Sequence, residues 1–168
     1  MKIYTQQEFD NLPVVDGRKQ CPTGDYSQIK RFGEGCSFGE GCSFGEGCSF
    51  GKRCSFGEWC SFGERCSFGE GCSFGEGCSF GELCSFGERC SFEKGYQAKF
   101  PPFIRVNNIG SRLDGCYIYN FENGIYVRSG CFFGTLDEFM QAVNSKHSDT
   151  KFERQYKLAV ELAKAAFE

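Results

Sequence analysis

Thirteen cysteines and one histidine, His147, are the side chains of this 168-residue chain with the most chemical potential. Ten of the cysteines recur at every sixth residue, from Cys36 to Cys90, with no C-x2-C pair or Cys/His cluster among them. That spacing argues against zinc, and a single histidine excludes three-histidine metal sites. Cys131 and His147 could act as nucleophile and base, but no third residue suggests itself to orient them. The cysteines are odd in number, and the start, M-K-I-Y-T-Q-Q-E, carries no apolar stretch of signal-peptide type. They are therefore expected to be reduced, buried and structural, in a cytoplasmic protein. No catalytic residue, metal site or cofactor is expected.

The elements that position these thiols follow from a repeat. Residues 33–92 read F-G-E-x-C-S over and over, with Phe32, Phe38, Phe44 and so on to Phe92 keeping the same period of six. Cys and Phe stand two apart, the spacing that places both on one face of a strand, with Ser and Gly turned the other way. Glu and the variable residue are left to turn a corner. A helix would scatter this period around its axis. Disorder fits the Gly-Ser-Glu content but not a regular large and small apolar pair in every repeat.

The F-G-E-x-C-S unit resembles the hexapeptide repeat of left-handed parallel β-helices, with Phe38 as the large inward residue, Gly39 its small follower and Cys42 the small inward one. The resemblance implies a mainly β fold: a triangular left-handed parallel β-helix of three to four coils, 18 residues per coil. The C-S-F triplet is also similar to pentapeptide-repeat β-helices, though six residues per repeat favour the triangle. Hexapeptide β-helices are best known as acyltransferases and carbonic anhydrases, whose activities rest on histidines. No repeat contains His, so that part of the resemblance fails residue by residue.

Residues 18 apart become vertical neighbours about 4.8 Å apart. One corner column is Glu34, Lys52, Glu70, Glu88, with Arg53 and Arg89 beside it. A second is Glu40, Glu58, Glu76, with Trp59 beside it and no base before Lys94. The third is Glu46, Glu64, Glu82, with Arg65 alongside. Stacked carboxylates repel by about 1 kcal/mol per pair even in water. The second column stays acidic and carries the only tryptophan, so Glu40, Glu58, Glu76 and Trp59 are candidate partner contacts. Alternatively, Trp59 lies across its glycine neighbours Gly41 and Gly77. Residues 33–92 hold nine Glu and four basic residues, too little net charge for DNA mimicry over the whole surface, though one edge remains open to it.

The flanks read as caps and modules. Residues 1–31 form an N-terminal cap: a capping box of Thr5 and Glu8 and a staple of Tyr4 and Phe9 start a short helix ended by Pro13, and Val14 to Ile29 is irregular. The repeat domain spans 32–95 and a small α+β module 96–168, with Pro101-Pro102 marking the boundary. In the module Phe103–Ile109 and Leu113–Phe121 are strands. A turn at Asn123-Gly124 pairs Phe121 with Tyr126 and Tyr119 with Arg128. Capping boxes at Thr135/Glu138 and Thr150/Glu153 open two helices, the first to about Val143, the second with an apolar stripe of Phe152, Tyr156, Ala159, Val160, Ala163 and Phe167. Tyr119 and Arg128 are further candidate contacts, unless their face packs on the helices.

The net charge of −3 singles out neither nucleic acid nor an acidic membrane, and no apolar run reaches the roughly 20 residues of a membrane helix. The expected function is a non-enzymatic protein-binding scaffold. It resembles, weakly, phage and prophage proteins, which suggests an inhibitor of a host nucleic-acid-handling or defence protein. The expected partner is a protein rather than nucleic acid itself, and the scaffold a homo-oligomer, dimer or trimer. A structural assembly rod and a degenerate acyltransferase-like small-molecule binder are the alternatives.

Overall fold

The structure, a computed structural model, describes residues 1–93 and 96–168. It divides into two compact units, Met1–Gln97 and Ala98–Glu168.

The first unit is a β-solenoid of about four turns. Each hexad contributes one very short strand ending in Ser-Phe, and every third strand pairs in parallel, so the coil has three faces. Cys36–Phe38, Ser55–Phe56, Ser73–Phe74 and Ser91–Phe92 form the first face. Ser43–Phe44, Ser61–Phe62 and Ser79–Phe80 form the second, and Arg31–Phe32, Ser49–Phe50, Ser67–Phe68 and Ser85–Phe86 the third. Register is 18 residues throughout, as in Ser43↔Ser61 and Phe44↔Phe62.

Phenylalanine fills the interior as three ladders. Within a ladder the rings are nearly parallel, as for Phe38 and Phe56 (5.1 Å, 2°) and Phe44 and Phe62 (4.9 Å, 3°). Between ladders they meet edge-on, as for Phe38 and Phe44 (89°), Phe44 and Phe50 (88°) and Phe38 and Phe50 (90°). The three stacks are thus mutually perpendicular, which gives each ring edge-to-face contacts beside its stacking partners. Cysteine fills the narrower space beside them, and its thiol donates to a glycine carbonyl of the preceding coil (Cys54 to Gly33, 3.3 Å; Cys66 to Gly45, 3.3 Å).

The glycine after each phenylalanine is dictated by backbone approach. A Cβ on Gly63 would lie 2.5 Å from the Glu46 nitrogen of the coil before, and one on Gly57 2.6 Å from that of Glu40. No other residue lets the corners stack at strand spacing.

The solenoid starts earlier than the hexads. Residues 14–29 are not wholly irregular: Val14–Val15 and Arg18–Cys21 make a hairpin, and Arg18–Cys21 pairs in parallel with Cys36–Phe38. Helix α1 (Gln6–Asp10) carries the expected Thr5/Glu8 capping box. Tyr4 and Phe9 both pack on Tyr26, which stacks on Phe44, so an aromatic plug closes this end of the ladders. At the other end, Tyr96 and Gln97 pair antiparallel with Phe92 and Ser91.

The strand Tyr96–Ile109 continues into the second unit, where it forms an antiparallel meander with Asp114–Phe121, Gly124–Ser129 and Phe132–Thr135, followed by α2 (Leu136–His147) and α3 (Lys151–Phe167). Pro101-Pro102 falls inside the first of these strands, where the register shifts between Ala98 and Phe103, so the absent N–H groups interrupt no ladder. The hairpin turn is centred on Glu122 and Asn123, one residue before the expected place. Phe121 faces Gly124, Tyr119 faces Tyr126 and Tyr117 faces Arg128. A shift of two in pairing leaves every side chain on its expected face. That face does not pack on the helices: Cys116, Ile118 and Val127, on the other side, meet Phe139, Val143, Tyr156, Ala159, Val160 and Ala163. Helix α2 runs a full turn beyond Val143. At α3, Thr150 caps as expected, but Glu153 bonds the Asp149 nitrogen, so the capping box is not closed.

Candidate functional site

The three corners of the solenoid are its variable surface. In each hexad the residue before the ladder cysteine has a left-handed backbone, glycine or not. Gly35, Gly41, Gly47, Gly71 and Gly77 have φ between 64° and 71°, and Arg53, Trp59, Arg65, Leu83 and Arg89 have φ of 57° or 58°. Hydrogen bonds hold this conformation: the Gly41 nitrogen donates to the Glu58 carbonyl (2.7 Å), and the Trp59 nitrogen to that of Glu76 (2.8 Å). A side chain here costs about 1 kcal/mol that glycine avoids.

The side chain at this position leans over the next coil. A Cβ on Gly77 would fall 2.3 Å from Trp59 Cε3, so the indole lies directly on Gly77, while 59% of the residue remains exposed. Arg53 covers Gly71 in the same way, its Cγ 3.6 Å from where a Cβ would stand. Trp59 therefore both covers backbone and presents an aromatic face.

Charge separates the corners. On the first, Lys52 and Arg89 both approach Glu70 (3.3 and 3.5 Å), and Arg18 donates to the Arg53 carbonyl. On the third, Lys30 donates to the Glu46 carbonyl (2.6 Å), Arg65 stands beside Glu64, and Leu83 is largely exposed. The second brings together Glu40, Glu58, Glu76 and Trp59, with Glu40 and Glu58 exposed and Glu76 half-buried. Its last expected member, Lys94, lies outside the described residues.

The other two candidate contacts are placed differently. Tyr119 is 1% and Arg128 8% exposed. Tyr119 belongs to an aromatic cluster with Phe103, Phe121 and Phe133, and Arg128 lies 5.3 Å from the Phe133 ring. Neither is exposed as Trp59 is.

All thirteen cysteines carry thiols rather than disulfides. Burial pushes the Cys116 thiol up to about 12, and the neighbouring Cys60 thiol, together with burial, raises Cys42 as well. These two thiols supply no thiolate at neutral pH, whereas the Cys36 and Cys48 thiols hold Cys54 and Cys66 below the usual thiol range. Among the described residues, no group of three or more His, Cys, Asp or Glu side chains could hold a metal ion, and no helix is long and apolar enough to cross a membrane.

Two features escaped the sequence. The left-handed corner position was half visible, since glycine occupies it in five of the ten hexads that end in a ladder cysteine. The other is a cavity in the second unit that both Cys131 and His147 line; their separation of 16 positions in sequence carries no signal for it. No family model, curated protein or solved structure matches the chain.

Proposed function

We propose that the chain is a non-enzymatic protein-binding scaffold whose contact surface is the solenoid corner of Glu40, Glu58, Glu76 and Trp59. The observation that carries this reading is Trp59 itself: its indole lies on Gly77 yet stays largely exposed, on a strained backbone at φ 58°, at a position where Gly41 and Gly77 stand in the coils before and after. An exposed indole flanked by carboxylates complements a basic protein surface, through cation–π contact and charge together. The narrower reading is an inhibitor that occupies the nucleic-acid-binding face of a host protein. The hexad pattern and the three-faced coil support a left-handed β-helix of hexapeptide type.

The test is capture from bacterial lysate at two salt concentrations, read by mass spectrometry. A second bait carries Glu40→Lys, Glu58→Lys, Glu76→Lys and Trp59→Gly. A basic protein retained only by the native corner, and lost at high salt, is the expected result. Equal capture by both baits would remove the corner from the reading, and no capture by either would favour an assembly rod.

A further inference from the structure

The second unit holds a cavity of about 230 Å³ that the scaffold reading does not use. Its floor is apolar, built from Phe132, Phe139, Val143 and Tyr156. Its lining also carries two cations, Arg112 from the turn after the first long strand and Lys146 from the last turn of α2, with His147 next to Lys146. Hydroxyls of Ser111 and Ser129 complete it, and among the described residues no carboxylate lines it.

Helix geometry explains only part of this. A cation in a last turn complements the helix dipole, which accounts for Lys146. It does not account for Arg112, which arrives from a different element. Arg112 is seated against the hairpin, where a Cβ on Gly130 (φ 58°) would stand 3.4 Å from its Nη1. The His147 ring packs against Phe152 and Tyr156, with centroids 5.7 and 6.0 Å away. A chain of net charge −3 thus gathers two formal cations and a histidine around one apolar hollow.

We infer that this cavity binds a small organic anion, a carboxylate or phosphomonoester group carried on an apolar body. The anionic head meets Arg112, Lys146 and the serine hydroxyls through charge-assisted hydrogen bonds, and the body lies on Phe132 and Phe139. A hollow of this volume takes a single aromatic ring, as in benzoate or phenyl phosphate.

The experiment is calorimetric titration of the full reduced chain with sodium benzoate, phenyl phosphate, inorganic phosphate, benzyl alcohol and benzylamine. Benzoate or phenyl phosphate is expected to saturate one site, with the stronger of the two naming the head group. The other three bind at least about tenfold more weakly, because each lacks the charge or the body. Arg112→Gln and Lys146→Gln, both at exposed positions, each weaken the preferred probe by about tenfold without lowering the melting temperature.

Cys131, the exposed thiol on the rim, supplies a second readout. Its thiolate attacks an aryl disulfide, forming a mixed disulfide and releasing one aryl thiolate. The dianionic dithiobis(nitrobenzoate) is expected to react faster than a neutral dipyridyl disulfide, and the preferred probe to slow it. Equal affinity for benzoate, phenyl phosphate and benzyl alcohol, unchanged binding in Arg112→Gln, or no saturable binding up to about 10 mM would each overturn the inference.

Discussion

The two glycine positions of the hexad do different work. Gly63 follows Phe62 and faces the backbone of the previous coil, 2.5 Å from where its Cβ would stand; Gly41 turns a corner at φ 64° with open space around it. Gly63→Ala should therefore force two coils apart and destabilise by about 3 kcal/mol. Gly41→Ala should cost only about 1 kcal/mol, the price of a left-handed alanine. Denaturant midpoints of the two variants check this, and equal losses would refute the distinction. The small residue after phenylalanine was legible from the repeat, whereas the corner position read only as variable. The reasons were not legible, because one lies 17 residues away in the previous coil and the other in a dihedral angle. Trp59 was similarly ambiguous: its column neighbours Gly41 and Gly77 were readable, but not that the ring would lie on one of them and remain exposed.

At the scale of elements, local chemistry was read best where it closes within one turn. The Thr5/Glu8 and Thr135/Glu138 boxes both form as the S/T-x-x-E pattern requires. At Thr150 the same pattern competes with Asp149 and Lys157 for Glu153, and the box stays open. The hairpin register was missed because Gly124, at φ 135°, takes a paired position instead of a turn position. Thr135→Ala should lower stability by about 1 kcal/mol through loss of the α2 cap. The Thr135 backbone N–H, then its hydroxyl, hold the Glu138 carboxyl below the usual range. With a depressed folded pKa, that contribution is present above the ordinary carboxylate value of about 4.3 and is lost as pH falls through the folded value. Glu138→Gln should accordingly lower stability at pH 7 and make the loss between pH 5 and pH 3 shallower, as read by urea unfolding across that range. An unchanged acid limb would count against it.

For the whole molecule, the solenoid's interior is the same in every hexad while its corners differ. Stability in such a chain is a sum over neighbouring coils, so removing one should leave the rest folded. Deleting residues 63–80 removes a full coil and returns every later hexad to its own corner. Deleting only 63–68 rotates all later hexads by one corner and brings Leu83 beneath Trp59, where Gly77 leaves no room for a Cβ. The shorter deletion should melt below the longer one, and adding Trp59→Gly should recover it; a higher melting temperature for the six-residue deletion would be the contrary result. The mutually perpendicular phenyl ladders have a consequence for heredity as well. A gene written in near-identical repeats gains and loses units during copying, and a core indifferent to which hexad sits where would accept any number of them. The corners set the reading frame instead: only changes in multiples of three hexads pass on the acidic, aromatic edge unscrambled, so the lineage can alter the length of the coil without rewriting its surface.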